Sequence, residues 1–259
     1  MSTVGTAPRE KRIALFIDYD NLAVGMKNSS HKRFQIDLIL DRVLEKGKIL
    51  VKRAYADWSG YREGKAELHE AAVELVEIPR KRVGGKNSAD IRMVVDALDL
   101  AFSRTFIDSF VLVTGDSDFS PLVTKLREHD REVIGIGMKA ATSTLLIENC
   151  DEFIFYEDLL RRTVNQPPMK ARSDLSKPQK EAFDIVVDVA RALLREGRDT
   201  VWASMIKQTI RRKKPSFDES YHDYSSFSEL LLDMEAKGIL ELQKDNKSGS
   251  LVVTGVVAR

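Results

Sequence analysis

Hydrophobic runs and amphipathic segments alternate along the first 158 residues of the chain. Continuous apolar or β-branched runs predict buried strands, whereas apolar positions three and four residues apart predict helices. The predicted strands span residues 12–17, 49–57, 74–79, 109–113, 132–137 and 152–156. The predicted helices span residues 35–46, 61–72, 88–103, 121–129 and 143–149. This order predicts an α/β fold with a doubly wound, mostly parallel sheet and right-handed crossovers.

The pattern changes beyond this first domain, which is predicted at residues 12–162 after a disordered lead-in over residues 1–11. Residues 163–178 are rich in proline, serine and basic residues and lack apolar periodicity, which predicts a linker. Further helices are predicted over residues 179–196, 203–212 and 226–237, and strands over 239–243 and 250–257. Three helices and a terminal hairpin predict a smaller α+β domain of the winged-helix type at residues 179–259.

Acidic residues directly follow two of the predicted strands. Asp18 ends the first strand, and Asp116 and Asp118 follow Gly115 after the fourth. The carboxyl ends of parallel strands meet at one edge of a sheet, where α/β proteins bind ligands. Asp90 lies in the first turn of a predicted helix that can point into the same crevice. The sequence therefore predicts a site of four carboxylates.

Carboxylates gathered at one edge repel one another, so either a divalent cation binds there or at least one acid is protonated. Ligands that are all oxygen suit Mg²⁺ or Mn²⁺ better than zinc. Such an ion keeps water molecules, one of which can attack phosphorus, so the site suits phosphodiester hydrolysis. Each acid also has a simpler interpretation as a helix cap or turn residue. Besides phosphodiester hydrolysis and a purely structural role, Asp18 and Asp20 suggest an aspartyl-phosphate phosphatase as another alternative.

Other classes of enzyme are disfavoured by the motifs in the chain. Neither a Walker-type lysine loop nor a Gly-x-Ser-x-Gly elbow occurs, which argues against P-loop nucleotide hydrolysis and serine hydrolase chemistry. The single cysteine, Cys150, excludes an internal disulfide framework and a zinc site built on cysteines. The sequence shows no apolar stretch of membrane-spanning length and no signal-peptide pattern at its N-terminus, which predicts a cytoplasmic protein without a membrane partner.

Two basic clusters are the candidate contacts for nucleic acid, since the net charge of +1 indicates no such partner by itself. The first lies in a glycine-containing loop next to Asp90 in sequence and could contact phosphate or simply be solvated: Arg80, Lys81, Arg82 and Lys86. The second ends a predicted helix, where positive charge is favourable even without a ligand: Arg211, Arg212, Lys213 and Lys214.

Four short segments carry a resemblance to a known family. They are Phe-Ile-Asp-Tyr-Asp-Asn at residues 16–21, residues 86–90, Thr-Gly-Asp-Ser-Asp-Phe at 114–119, and Ser143 ahead of residues 150–153. Together they resemble the NYN domain of the PIN-like nuclease superfamily, over about residues 12–160. Residues 200–232 resemble part of an OST-HTH (LOTUS) domain.

This resemblance implies an endoribonuclease that depends on Mg²⁺ or Mn²⁺ and carries a C-terminal RNA-binding module. By position, the four acids match the acidic cluster of the family. Asn21 matches a polar residue that orients the first acid or the metal, and Ser143 is expected to face the same crevice. The alternative is a non-catalytic RNA-binding or adaptor protein with a vestigial site. The expected partner is single-stranded or structured RNA, while a second copy of the chain or another protein stays open for the C-terminal domain.

Overall fold

The structure is a computed structural model that describes residues 10–27, 34–78, 88–164, 175–196, 200–246 and 248–257. The chain divides into two compact units, residues 1–165 and 166–259. Within the described ranges, no helix has both the length and the apolar composition needed to cross a membrane.

The first unit is an α/β domain with one sheet of six strands. The strands are β1 (Lys11–Asp18), β2 (Gly47–Ala56), β3 (Glu74–Glu77), β4 (Ser109–Val113), β5 (Glu132–Gly137) and β6 (Glu152–Phe155). The helices are α1 (Tyr19–Lys27), α2 (Ile36–Lys46), α3 (Arg62–Glu70), α4 (Ser88–Ser103), α5 (Ser120–Glu128), α6 (Thr144–Asn149) and α7 (Tyr156–Val164). Single 3-10 turns cover Trp58–Gly60, Ser117–Phe119 and Lys139–Ala141.

The sheet has the strand order β3-β2-β1-β4-β5-β6, and each neighbouring pair is parallel. The chain runs outward from β1 to β3 and then returns to β4, so the direction of winding reverses between β1 and β4. Ligands of such sheets bind at this reversal, outside the carboxyl ends of the strands. The predicted fold class is confirmed.

Strand β1 is buried on both faces, which anchors the residues at its carboxyl end. On one face, Ile13, Leu15 and Ile17 pack among residues of α1, α2, α3 and α7. On the other face, Ala14 and Phe16 pack among residues of α4, α5 and α6. Burying one large apolar side chain stabilises the fold by about 1.5–3 kcal/mol, so the end of β1 is held firmly.

Two helices of the first unit are absent from the sequence prediction. Helix α1 begins immediately after β1, and its Asn21 and Gly25 favour turns over helices in isolation. Helix α7 occupies residues predicted as the end of a strand and a loop, and it extends to Val164. Packing of Leu22 and Leu159 into the core stabilises these helices. The sequence prediction missed these two helices because burial in the core, and not the local helix propensity, determines their conformation.

The described part of the second unit contains three α-helices, a 3-10 turn at Glu219–His222 and a small antiparallel sheet. The helices are α8 (Lys177–Arg195), α9 (Ala203–Lys213) and α10 (Phe227–Ala236), and the strands are β7 (Val201–Trp202), β8 (Leu240–Lys244) and β9 (Leu251–Val256). The strand order is β7-β9-β8. A capping box starts α8, because Ser176 accepts the N–H of Gln179 and donates its own N–H to the Gln179 side chain.

Candidate active site

Asp18 lies at the carboxyl end of β1, next to the reversal point, with only 4% of its surface exposed. Its Oδ1 accepts the backbone N–H of Asn21 at 3.1 Å, and its Oδ2 accepts the hydroxyl of Thr114 at 3.0 Å. Burial raises the pKa of Asp18 to about 7, and the charges of Asp90 and Asp20 add to the rise, while the two hydrogen bonds oppose it. The carboxyl group is therefore fixed in position and resists ionisation.

Asn21 joins the two strand ends at the reversal point. The backbone N–H of Gly115, just beyond β4, donates to Asn21 Oδ1 at 2.8 Å. The backbone N–H of the same Asn21 bonds Asp18, so one residue of α1 positions both the first acid and the turn after β4. The structure places Asn21 among the predicted site residues as a positioning group.

Asp116 shapes the turn that follows β4. Its Oδ1 accepts the backbone N–H of Asp118 at 3.0 Å and caps the 3-10 turn Ser117–Phe119. The interpretation of Asp118 as a cap of the next helix is wrong. Helix α5 begins at Ser120 with proline in its first turn and no side-chain cap. The turn leaves Asp118 exposed beside the half-buried Asp116.

Asp90 lies in the first turn of α4 and is half-buried. The pKa of Asp90 is raised to about 6. Burial is the largest cause, and the charges of Asp116, Asp118 and Asp20 add to the rise. Coulomb interactions weaken with distance, so these contributions place Asp90 within electrostatic range of the turn after β4. Asp90 is therefore coupled by charge to Asp18 at the end of β1 and to Asp116 and Asp118 after β4, although these acids lie on three elements that are distant in sequence.

The acidic group suits a hard divalent cation by its chemistry. All of its donors are carboxylate oxygens, and burial disfavours charge on two of them unless a cation balances it. Across the described ranges, no three His, Cys, Asp or Glu side chains already stand close enough to hold one metal ion. The donor set therefore fits Mg²⁺ or Mn²⁺ in kind, without a preassembled three-ligand group.

Ser143 lies beside the same turn. Its backbone N–H donates to the carbonyl of Gly115 at 2.9 Å, and its hydroxyl caps α6 by accepting the N–H of Leu145 at 3.2 Å. A Cβ added at Gly115 would lie 2.2 Å from the carbonyl oxygen of Ala141, so only glycine permits this close approach. The segment that carries Ser143 is thus packed directly against the acidic turn.

The first predicted basic cluster, Arg80, Lys81, Arg82 and Lys86, lies outside the described residues. The second cluster occupies the last turn of α9 and the residue after it. Arg211 and Lys214 are exposed there. Arg212 donates to the Thr209 hydroxyl at 2.7 Å, and Lys213 approaches Asp188 at 4.0 Å. Two of the four basic side chains therefore make contacts within their own unit.

Three features of the first unit were missed by sequence reasoning. Thr114 is fully buried and joins two acids, because its hydroxyl donates to Asp18 and accepts the backbone N–H of Asp116 at 3.2 Å. Asp20 accepts the hydroxyl of Tyr61 at 2.7 Å. The third is Asp96, which lies on the same helix as Asp90 and is mostly buried.

Asp96 is the hydrogen-bond acceptor for a buried tyrosine hydroxyl. Only 13% of its side chain is exposed. It accepts a hydrogen bond from the hydroxyl of Tyr55 at 2.9 Å and forms an ion pair with Arg92 at 3.0 Å. Tyr55 is itself fully buried, so its hydroxyl needs an acceptor inside the protein. Tyr55 on β2 is the residue that explains the burial of Asp96. Sequence spacing alone does not show that the two residues are in contact.

The fold is that of an α/β domain of the PIN-like nuclease class. Asp18, Asp90, Asp116 and Asp118 lie around the carboxyl ends of β1 and β4, and this region is the acidic edge. The profile of the NYN domain family matches residues 12–159, and that of the OST-HTH/LOTUS domain matches residues 182–252. The chain belongs to the NYN domain family, with an OST-HTH/LOTUS domain following. This pairing supports an RNA-related nuclease, and PIN-like nucleases typically use divalent metal ions.

Two relatives extend the comparison. An uncharacterized protein of Methanocaldococcus jannaschii is 33% identical over 147 residues, which cover 56% of this chain and 55% of the relative. The chain thus spans about half the length of that curated relative. The crystal structure of a protein of unknown function from Vibrio parahaemolyticus has a TM-score of 0.53 and 23% identity, and it covers 60% of this chain and 98% of that one. This second likeness shows the fold alone.

Proposed function

We propose that this chain is an endoribonuclease that depends on Mg²⁺ or Mn²⁺ and hydrolyses RNA phosphodiester bonds at the acidic edge of the first unit. The observation that carries the proposal is the electrostatic coupling of Asp90 to Asp116, Asp118 and Asp18. Three separate elements contribute these carboxyl groups, around the reversal point of a parallel sheet. Membership in the NYN family supports the same activity.

In this proposal Asp18, Asp90 and Asp116 would hold the ion, and Asp118 would complete the ligand set or position the attacking water. When bound, the ion would activate water and stabilise negative charge on the phosphate. Asn21 and Thr114 would keep Asp18 oriented through the bonds described above. The residues of the chain therefore place the four acids and fix the orientation of the Asp18 carboxyl group.

RNA would be guided to this edge by basic and polar residues. We assign this role to Ser143, to the loop residues Arg80, Lys81, Arg82 and Lys86, and to the α9 cluster Arg211, Arg212, Lys213 and Lys214. Phosphate contacts of this kind supply affinity without reading sequence. The C-terminal unit would add affinity by tethering, in a protein that we place in the cytoplasm.

A non-catalytic RNA-binding or adaptor protein is the alternative. The observation in its favour is that the described part of the chain contains no preassembled group of three metal ligands. In that case the acids would be a remnant, and the C-terminal unit would carry the binding. The two functions differ in one measurable property, which is metal-dependent cleavage.

Labelled single-stranded RNA incubated with the full chain and Mg²⁺ or Mn²⁺ tests the proposal. We expect cleavage that EDTA abolishes and that Asp116→Asn reduces by roughly a hundredfold or more. Asp130→Asn is the matched control, since Asp130 is exposed and has a positive φ that Asn tolerates. Equal cleavage by wild type and Asp116→Asn would contradict the proposal, and normal RNA binding without cleavage would favour the adaptor.

Thr114→Val is expected to weaken Mn²⁺ binding by about 10- to 100-fold, the usual effect of removing a group that orients a metal ligand. Valine keeps the β-branched shape but leaves Asp18 without its hydroxyl donor. Isothermal titration calorimetry measures the affinity. Thr124→Val removes a hydroxyl from the exposed face of α5 and should change nothing. Unaltered Mn²⁺ affinity in Thr114→Val would show that the bond does not position Asp18.

A further inference from the structure

A cavity of about 440 Å³ lies next to the acidic edge, between α1 and α3. Its lining begins with Tyr19, the residue that directly follows Asp18, and includes Ala23 and Phe34 from the α1 side. From the other side it includes Tyr61 and Glu67. Small-molecule sites in proteins typically have volumes of about 300–1,000 Å³, so this cavity is large enough for one nucleoside.

Aromatic rings form one wall of this cavity. The ring of Tyr19 packs edge-on against Phe34 and Tyr61, with centroids 5.8 and 5.1 Å apart, and lies 5.2 Å from Trp58. Because Tyr19, Phe34 and Trp58 are buried in the main core, the wall is held in place by packing. Tyr61 is the half-buried ring of this wall, and an accessible aromatic face of this kind stacks on an unpaired RNA base.

Carboxylates line another part of the cavity. Glu63 and Glu67 both belong to the lining, and the Tyr19 hydroxyl lies against the same helix, because a Cβ added at Gly64 would overlap it. An ionised carboxylate accepts hydrogen bonds and repels phosphate. Arg62 also lines the cavity and offers donors. This combination suits a flat ring that presents both N–H donors and oxygen or nitrogen acceptors.

The cavity is connected to the acidic edge through one hydrogen bond. Tyr61, which lines the cavity, donates its hydroxyl to Asp20 at 2.7 Å, and Asp20 lies two residues after Asp18 in the chain. A base held against Tyr61 would therefore lie beside the place where the phosphate is proposed to bind.

We propose that this cavity binds a guanine base of the RNA, adjacent to the phosphate that is cleaved. Guanine presents the N1–H and N2–H donors side by side, which match the two oxygens of one carboxylate, and its O6 and N7 acceptors match arginine. Adenine and cytosine lack the paired donors, and uracil has a single N–H. The proposal rests on the ribonuclease activity proposed above and assigns that activity a base preference.

Binding of the four nucleosides to the full chain, measured by calorimetry without metal, tests this site. We expect guanosine to bind at least tenfold more tightly than adenosine, cytidine or uridine. The double variant Glu63→Gln and Glu67→Gln should lose this preference, since an amide cannot accept at both of its heavy atoms. Glu70→Gln, on the same helix and away from the cavity lining, is the matched control and should bind guanosine normally.

A second variant reaches the same cavity from the opposite wall. Ala23→Leu adds three carbons to the lining from α1 and should abolish guanosine binding, with thermal unfolding confirming that the variant is folded. Equal affinities for all four nucleosides, or unchanged guanosine binding in both the double variant and Ala23→Leu, would overturn the proposal.

Nucleosides carry no phosphate, so their binding reports on the cavity independently of cleavage. Guanosine binding by a chain that cuts no RNA would support the cavity and contradict the proposed ribonuclease. RNA cleavage without any preference for guanosine would overturn the cavity proposal and leave the ribonuclease in place.

Discussion

Replacing Asp18 with asparagine is expected to reduce RNA cleavage by roughly a thousandfold while making the protein more stable at pH 8. The loss of activity follows because the variant removes a proposed metal ligand, and a thousandfold corresponds to about 4 kcal/mol of transition-state stabilisation. The gain in stability has a separate cause. Asp18 is almost fully buried and ionises only near pH 7, so its charge destabilises the metal-free fold above that pH.

The size of this gain follows from the pKa of Asp18, which rises from 3.8 to about 7 on folding. Each pKa unit corresponds to about 1.4 kcal/mol, so the gain has an upper limit of roughly 4 kcal/mol at pH 8. Urea unfolding of metal-free protein measures it, and a cleavage assay measures the loss. Asp130→Asn serves again as the control that changes neither. An Asp18→Asn variant that cleaves normally, or that is less stable than wild type at pH 8, would contradict this account.

The stability of the metal-free first unit is expected to fall as the pH rises from about 4 to about 7. In the unfolded chain an aspartic acid loses its proton near pH 3.8, whereas folded Asp18 keeps its proton until about pH 7 and folded Asp90 until about pH 6. The folded state therefore binds more protons across this interval, and raising the pH favours unfolding. Because Trp58 is buried in the first unit and the chain has two tryptophans, a Trp202→Phe background lets fluorescence report on the first unit alone.

Saturating Mn²⁺ should remove most of this pH dependence. The ion binds the ionised carboxylates, so binding near pH 6 should release protons from Asp18 and Asp90. Calorimetry in two buffers of different ionisation enthalpy counts the released protons. A stability that is constant or rises between pH 4 and 7, or Mn²⁺ binding without proton release, would show that the two acids are not coupled to the ion.

The acidic edge could be predicted because each acid at a strand end follows a recognisable apolar run. Asp18 ends one buried strand and Asp116 follows another after two residues, and parallel strands place such residues at one edge whatever the rest of the chain does. The position of Asp90 depended on how α4 packs across the sheet, which periodicity does not report. The sequence therefore identified the candidate acids, while their electrostatic coupling required the structure.

The contacts that position the acids could not be predicted, because they use side chains with ordinary local interpretations. Thr114 is typical of the end of any strand, and its two bonds appear only when β1 and β4 are neighbours. Asn21 favours a turn in isolation and became part of a helix once Leu22 was buried. The nucleobase cavity depended on α1 and α3 facing each other, although α2, β2 and the 3-10 turn Trp58–Gly60 separate them in the chain.

The reversal of winding between β1 and β4 also divides the contacts of the first unit between two parts of the chain. The cavity belongs to the part that runs from β1 through α3, whereas the Gly115 and Ser143 contact belongs to the part that begins with β4. Asn21 bonds both Asp18 and Gly115, so the two parts meet at this residue. Substitutions in the cavity lining away from Asn21 would therefore alter base preference and leave the Gly115 and Ser143 contact in place.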